Sequence, residues 1–394
     1  MALLPEADWT RRADLLALVD ALDPEGDSAR HVGGAVRDTL LGIAVADIDI
    51  ATKHEPQEVI ARLKGAGIRT VPTGLAHGTV TALLDSGNVE ITTLRRDVST
   101  DGRHATIAFS TAWEEDAARR DFTINALYAD PRTLEVFDWF GGLADLEAHH
   151  VRFIGDARQR IREDYLRILR YFRFQARFGS LPADTGAEQA VAELAPGMKG
   201  LSRERVAWEL VNLLSLPDPA PTVARMADLG VLREVLPEVD AKGIAALSEL
   251  VAREGRQQVA PDPIRRFAAL LPPQPQVASD VASRLRLSTA QRKRLASAAA
   301  RVDGPEDARA LAYRLGREQA IDRLLLAGAP ITPLDGWEIP RLPLKGGEIV
   351  ARGVGKGPEV ARILRAVEDR WVAEGFPGEA RVHELLDAEL DRAG

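Results

Sequence analysis

The sequence predicts an α+β head with a small mixed β-sheet, followed by an all-α neck, body and tail. Three observations carry this reading. Strand-like alternation, in which successive side chains face opposite ways, occurs only ahead of about Gly142. Within that region, residues 30–51 run through a short apolar stretch, a Gly33-Gly34 turn, a helical segment and a strand. Beyond it, apolar residues recur at helical spacing, broken by Pro217-Asp218-Pro219 and Pro272-Pro273-Gln274-Pro275.

In chain order, Trp9 to Leu22 reads as an amphipathic helix with Leu15, Leu18, Val19 and Leu22 on one side. His31 and Val32 then lead into Gly33-Gly34. Ala35 to Leu41 follow at helical spacing, and Gly42 stands where a left-handed cap is wanted. Asp47-Ile48-Asp49-Ile50 alternates strictly, so the two aspartates share one strand face. Pro56 opens a helix that ends at Gly65 and Gly67. Strands are predicted over 68–71, 79–84 and 89–94, with Gly87-Asn88 as a hairpin turn and Glu90 on a polar face. Residues Arg95 to Ala105, polar and glycine-centred, are expected to form a mobile surface loop. Ala112 to Arg119 is helical, and Ile161 to Phe178 is predicted as one long helix. Further helices are expected near 203–214, 220–229, 241–254, 263–271, 277–287, 289–302, 307–315 and 319–326. A proline-rich connector over 330–343 and a glycine-rich turn from Lys345 to Pro358 lead into two last helices near 362–374 and 379–390.

The chain of 394 residues has 45% hydrophobic and 28% charged residues, which suits a soluble globular protein of two or more domains. It has no cysteine, which excludes disulfides, thiolate metal sites and a cysteine nucleophile. No apolar run approaches a membrane span, and the early Pro5, Glu6, Asp8, Arg11 and Arg12 do not resemble a signal peptide. A cytoplasmic location is expected. The net charge of −8 argues against indiscriminate nucleic-acid binding. Locally the balance reverses: between 152 and 177, eight arginines face three acids, a ridge able to guide phosphates.

Two carboxylates on one strand face repel each other unless a cation lies between them. Hard divalent ions are held by one or two carboxylates plus substrate phosphates. A glycine pair ahead of a helix N-terminus favours an anion, and Arg37 and Asp38 lie one turn into that helix. Taken singly, these are an ordinary turn and an acidic strand edge; together they point to a phosphate and metal site. Glu90 reads either as a third carboxylate of a two-metal site or as a plain exposed strand residue. Arg119-Arg120-Asp121-Phe122-Thr123-Ile124-Asn125-Ala126 puts two cations, an acid and an amide beside an apolar run, which suits a triphosphate and ribose. A turn-capping Asp121 with solvated arginines is the other reading. Asp164 and Arg167, three apart on a helix, form either an intrahelical salt bridge or a carboxylate–guanidinium pair that reads a base edge.

In this order the motifs resemble those of class II CCA-adding tRNA nucleotidyltransferases and the related bacterial poly(A) polymerases, in the DNA polymerase β nucleotidyltransferase superfamily. The resemblance rests on G-G-A-V-R-D (33–38) with D-I-D (47–49), and R-R-D-F-T-I-N-A (119–126). Asp138, Gly141, Gly142, Asp145 and Leu146 continue it, as do E-D-Y-L-R-I-L-R (163–170) and S-R-E-R-V-A-W-E-L (202–210). It implies a nucleotidyltransferase head over 1–142, a base-selecting neck over 143–215, a body over 216–330 and a tRNA-binding tail over 331–394. Asp47 and Asp49 would hold two Mg²⁺ ions, with Glu90 as the third catalytic carboxylate. Gly33, Gly34 and Arg37 would bind the triphosphate. Arg120 and Asp121 would fix the nucleotide, Asp121 at the ribose 2′-hydroxyl, and Asp38, Arg119 and Asn125 would join the same nucleotide-binding set. Asp164 and Arg167 would select the base, with Arg170 and Arg173 near the phosphates. The implied reaction is untemplated addition of C, C and A from CTP and ATP to the 3′ end of a tRNA acceptor stem. A monomer or homodimer is expected. The scaffold is shared by poly(A) polymerases, by CC- or A-adding relatives and by inactive RNA-binding descendants.

Overall fold

The computed structural model describes residues 2–101, 104–301 and 307–393. It divides into two compact units, Met1–Pro237 and Glu238–Gly394. All strands of the described residues lie in the first unit.

A seven-stranded mixed sheet forms the base of the head. Its strands are β1 (Ala29–Val32), β2 (Ile48–Thr52), β3 (Arg69–Gly74), β4 (Thr79–Leu83), β5 (Val89–Thr93), β8 (Tyr128–Ala129) and β9 (Val136–Phe137), in the spatial order β3-β4-β5-β2-β1-β8-β9. Only β2 and β5 run parallel; every other neighbouring pair is antiparallel. That one parallel pair sets Asp49 directly beside Glu90. Alternation explains the burial: Ile48, Ile50, Val89 and Ile91 are buried, while Asp47 and Glu90 on the other face are exposed. Helices α1 (Ala13–Leu22), α2 (Gly34–Leu40), α3 (Pro56–Gly65) and α4 (Trp113–Ala118) flank the sheet.

Four expectations are corrected. The helix expected from Trp9 is a 3₁₀ turn at Asp8–Arg11, an extended Arg12 and then α1. The loop expected over Arg95 to Ala105 is mostly a hairpin, with β6 (Arg95–Asp101) paired antiparallel to β7 (His104–Phe109) in a sheet of its own. Gly102 and Arg103 of that expected loop, and Val302 at the expected end of 289–302, lie outside the described residues. Gly346–Ala351, expected as part of a glycine-rich turn, is a short helix with Lys345 as its N-cap.

The fourth correction bears on the site. The helix expected over 161–178 is two, α6 (Ala157–Glu163) and α7 (Leu166–Phe178), with α5 (Gly142–Glu147) before them. Asp164 is extended, at φ −153° and ψ 106°, and its carboxylate accepts the Leu166 N–H. The side chain thus gives the freed backbone donor a partner, which is why aspartate favours such breaks. Tyr165 fills the space above Gly197, where any Cβ would collide with the phenol ring. Phe122, just after α4, is packed between Phe153 and Phe174 at ring separations of 4.9 and 5.1 Å, which fastens α7 to the sheet region. Helices α8 (Thr185–Leu194), α9 (Arg203–Leu214), α10 (Ala220–Asp228) and α11 (Leu232–Val235) complete the first unit.

The second unit is helical: α12 (Ala241–Arg256), α13 (Pro263–Leu270), α14 (Pro275–Arg284), α15 (Thr289–Ala299), α16 (Ala308–Leu315), α17 (Arg317–Ala327), α18 (Gly346–Ala351), α19 (Pro358–Ala373) and α20 (Glu379–Ala393). Asp262 caps α13 by accepting from the Ile264 and Arg265 N–H groups. Glu254 is buried between Arg265 and Arg266, and Asp322 between Arg265 and Arg294. Ile363, Val367 and Trp371 of α19 meet Val382, Leu385 and Leu386 of α20 in the core at its C-terminal end. No helix of the described residues is long and apolar enough to cross a membrane.

Candidate active site

The site is built around the β2–β5 pair. Asp47 sits just ahead of β2 and Asp49 within it, on the face shared with Glu90. Burial and the neighbouring Glu90 push the Asp49 carboxyl up to about 6; Asp47 adds to the rise and Arg120 opposes it. Asp49 is therefore short of positive charge. Among the described residues, no three His, Cys, Asp or Glu side chains are grouped to hold a metal ion by themselves. The donors that are present suit a hard divalent cation: they are carboxylate oxygens only, and such ions take substrate phosphates as further ligands.

Arg120 is the cation whose charge acts on Asp49. Its Nε donates to the Tyr128 hydroxyl at 3.0 Å and its Nη2 to Asp116 at 3.3 Å, while Tyr128 itself donates to Asp116 at 2.6 Å. Arg119 holds the other Asp116 oxygen at 2.8 Å. Burial alone would raise the Asp116 carboxyl, but the two guanidinium groups more than offset it and keep it low. The Arg120 Nη1 points toward Gly33, whose backbone takes φ 69° and ψ −120°. The positive φ favours glycine here, and a Cβ at Gly33 would stand 3.3 Å from that nitrogen, so the guanidinium would have to give by a few tenths of an ångström. Gly34 is less constrained, since a Cβ there would be in ordinary contact with Arg37.

Arg37 and Asp38 are placed differently from a free phosphate-binding pair. Arg37 is 6% exposed; it donates to Asp38 at 2.7 Å and to the Asn125 side-chain Oδ1 at 2.5 Å, and it lies 4.2 Å from the centre of the Phe178 ring. Asp38 also accepts from Arg177. Asn125 in turn donates to Asp121 at 3.0 Å, and the second Asp121 oxygen receives Arg170 at 2.6 and 2.7 Å. Burial would raise the Asp121 carboxyl, but Arg170 and Asn125 hold it below the usual carboxylate range. Arg170 continues to Glu209 at 3.7 Å, and Arg173 meets Glu209 at 2.6 Å. A connected polar chain thus runs Arg37–Asn125–Asp121–Arg170–Glu209–Arg173, from α2 to α9.

The two residues expected to read the base are not paired with each other. Arg167 donates to Glu163 at 2.5 Å and to the backbone carbonyls of Arg160 and Arg119. Asp164 instead accepts from Arg205 at 2.5 Å. The intrahelical salt bridge is therefore absent, because the helix breaks at Asp164 and the side chain turns toward α9.

Sequence reading missed Asp116, Tyr128, Glu163, Arg205 and Glu209 as members of this site. Two had a signal. Asp116 lies three and four residues ahead of the Arg119-Arg120 pair on a helix, and Glu209 sits among the apolar Val206, Leu210 and Leu213 on a face that a lone carboxylate enters only with partners.

Residues 29–152 match the Poly A polymerase head domain family, and 184–242 match the probable RNA and SrmB-binding site of polymerase A. Over 399 aligned positions the sequence is 36% identical to "CCA tRNA nucleotidyltransferase 1, mitochondrial" of Mus musculus, covering 94% of this chain and 89% of that relative. The chain belongs to the CCA tRNA nucleotidyltransferase family. The Homo sapiens member is equally similar, at 36% identity over the same shares. Among solved structures, the Bacillus stearothermophilus CCA-adding enzyme in complex with CTP superposes with a TM-score of 0.75 at 26% identity, covering 96% of this chain and 98% of that one. The chain is thus a nucleotidyltransferase whose fold is that of the CCA-adding enzymes, and members of the family generally use divalent metal ions.

Proposed function

We propose that this nucleotidyltransferase adds C, C and A, without a template, to the 3′ end of tRNA from CTP and ATP. The observation that carries the reading is the β2–β5 strand pair, where Asp47, Asp49 and Glu90 gather negative charge beside Arg120. Similarity along nearly the whole chain to CCA tRNA nucleotidyltransferases, and to an enzyme seen with CTP, supports the choice of substrate.

Two Mg²⁺ ions are assigned to Asp47 and Asp49, with Glu90 as the third carboxylate. Bound there, they supply charge that lowers the pKa of the primer 3′-hydroxyl and steadies the pyrophosphate leaving group. Gly33 and Gly34 leave space beside Arg120, and we assign the triphosphate to this corner, with Arg119 holding Asp116 and so fixing Arg120. Asp121, kept ionised and oriented by Asn125 and Arg170, accepts from the ribose 2′-hydroxyl. Arg37 and Asp38 brace this group from behind, and Arg173 holds Glu209 in line with it. Asp164 and Arg167 read the base. Cytosine and adenine each offer an amino donor beside a ring-nitrogen acceptor, which a carboxylate and a guanidinium match; uracil and guanine present the reverse and would leave the half-buried groups unpaired. On this assignment residues 1–142 are catalytic, 143–215 select the base, 216–330 form the body and 331–394 bind tRNA. We assign the protein to the cytoplasm from its composition alone; the mouse and human relatives are named as mitochondrial proteins.

The test is extension of a tRNA lacking its terminal CCA, with CTP and ATP singly and together. Three additions followed by a stop are expected. A long adenosine ladder from ATP alone would make the protein a poly(A) polymerase, the second reading suggested by the head-domain family. Asp47→Ala should abolish incorporation while leaving tRNA binding in place, and retained turnover in that variant would sink the metal assignment.

A further inference from the structure

We propose that the Trp208 indole is a stacking platform for the unpaired 3′-terminal base of the RNA primer, an inference that rests on the function proposed above. Trp208 is 55% exposed, whereas the other five tryptophans are buried or half-buried. It is the bulkiest exposed apolar side chain among the described residues. Its position is not arbitrary. On α9, Arg205 reaches Asp164, Glu209 reaches Arg170 and Arg173, and Trp208 lies between them in sequence. The Arg173 guanidinium stands 5.2 Å from the indole centre, which places the ring at the end of the ion-pair chain that starts from Asp121. The incoming nucleotide is assigned to the Asp121 end of that chain. The ring is at the other end, and the primer terminus is assigned there.

The surroundings favour a nucleobase over a protein partner. The helical neighbours of Trp208 on α9 that are not buried are Glu204, Arg205, Val211 and Asn212, so the aromatic face stands mainly among polar and charged groups, and no second large exposed apolar side chain accompanies it. A protein interface wants a cluster of apolar anchors, whereas a single base needs one π face and nearby cations for its phosphates. Arg173 at the ring and the exposed Arg205, one turn ahead on α9, supply such cations. Every base has a π face, so the platform would hold the primer end whatever its identity, which suits an enzyme that meets a different terminal base at each step. The ring also lies in the segment that matches the probable RNA-binding region.

The experiment uses the full chain and a tRNA lacking CCA, with 2-aminopurine at its 3′-terminal unpaired position. Wild type and Trp208→Phe are expected to quench the probe on binding. Trp208→Ala and Trp208→Leu should leave it bright, because leucine keeps the apolar bulk without the π face. The Kd for tRNA should rise roughly 5- to 150-fold in both aliphatic variants, with the KM for CTP and the C/A order unchanged. Because the ring is exposed, thermal midpoints should stay near wild type. Quenching and tRNA affinity retained in Trp208→Leu would overturn the platform and reduce the ring to a cover over Arg173. A raised KM for CTP with tRNA affinity intact would also overturn it, by assigning the ring to the incoming base. A wild-type protein that extends no tRNA would bring down the function as well, whereas an active wild type with an indifferent Trp208→Leu would sink the platform alone.

Discussion

At Gly33 the backbone holds φ 69°, and a side chain there would press on the Arg120 guanidinium. Gly33→Ala should cost about 1–3 kcal/mol in backbone strain and displace Arg120. A modest fall in thermal midpoint is expected, with a much larger fall in the nucleotide-addition rate and tRNA affinity retained; unchanged addition kinetics would remove Arg120 from the nucleotide corner. His31, beside Trp9 at 4.8 Å, makes a different prediction. Its Nδ1 is buried without a hydrogen-bond partner, and burial pushes the imidazole down to about 4. Unfolded, the ring binds a proton near pH 6.5, so between about 6.5 and 4 the unfolded chain holds more protons. Stability from this group is complete above 6.5 and is lost as pH falls to about 4, on the order of 3 kcal/mol in all. His31→Phe should flatten that acid limb in urea titrations across pH, and an equally steep limb in the variant would contradict a neutral buried ring. Single residues also mark how far sequence reading reached. Asp47 and Asp49 could be placed on one face by counting, because strand periodicity is local; the same counting put Glu90 on a polar face, but its position beside Asp49 comes from the β2–β5 pairing. The Asn125 partner of Arg37, 88 positions away, and the contact of Arg167 with the Arg119 carbonyl could not be found by counting, since nothing local brings those segments together.

Between elements, the break separating α6 from α7 decides what the base-reading residues touch. Periodicity alone joins the two helices, because Ile161, Ile168, Leu169 and Phe172 continue one apolar stripe across the break. The cue for the interruption is the capping ability of Asp164, which competes with a helical pattern and here prevails. The β6–β7 hairpin was hidden for a related reason: its first strand, Arg95-Arg96-Asp97-Val98-Ser99-Thr100-Asp101, is almost wholly polar in sequence, and the pairing that makes it a strand is not a periodic signal. At this scale, Arg167→Ala should blur the choice between C/A and U/G in misincorporation assays while metal dependence stays as in wild type. Unchanged base selection would contradict the reading role. Glu209→Ala should be harsher on stability. It leaves Arg170 and Arg173 without their shared buried carboxylate, a loss of about 3 kcal/mol, seen as an earlier first urea transition. A midpoint matching wild type would mean that water replaces Glu209 without cost.

For the whole molecule, the relevant contrast is an acidic protein that handles RNA. A net charge of −8 repels a polyanion at long range, so binding has to come from a few local cations. Such contacts release counterions. Raising salt from 50 to 200 mM should weaken tRNA binding at least about tenfold, as two or more phosphate contacts require; a flat response in filter binding would show that charge contributes nothing to RNA recognition. The broad division into a mixed-sheet head and helical remainder was readable because alternation and helical spacing are different signals, and the first stops near Gly142. The boundary between the two compact units at Pro237 was not, since helices lie on both sides and no change of period marks it. One feature of the neck reaches beyond architecture. Asp164 is already engaged by Arg205, and Arg167 by Glu163. On the proposed assignment, an arriving base is therefore a competitor: it has to outbid a resident partner at each position. A base that suits only one of the two groups displaces one rival and is rejected by the other, so the resting contacts act as a threshold that is crossed only by matching both.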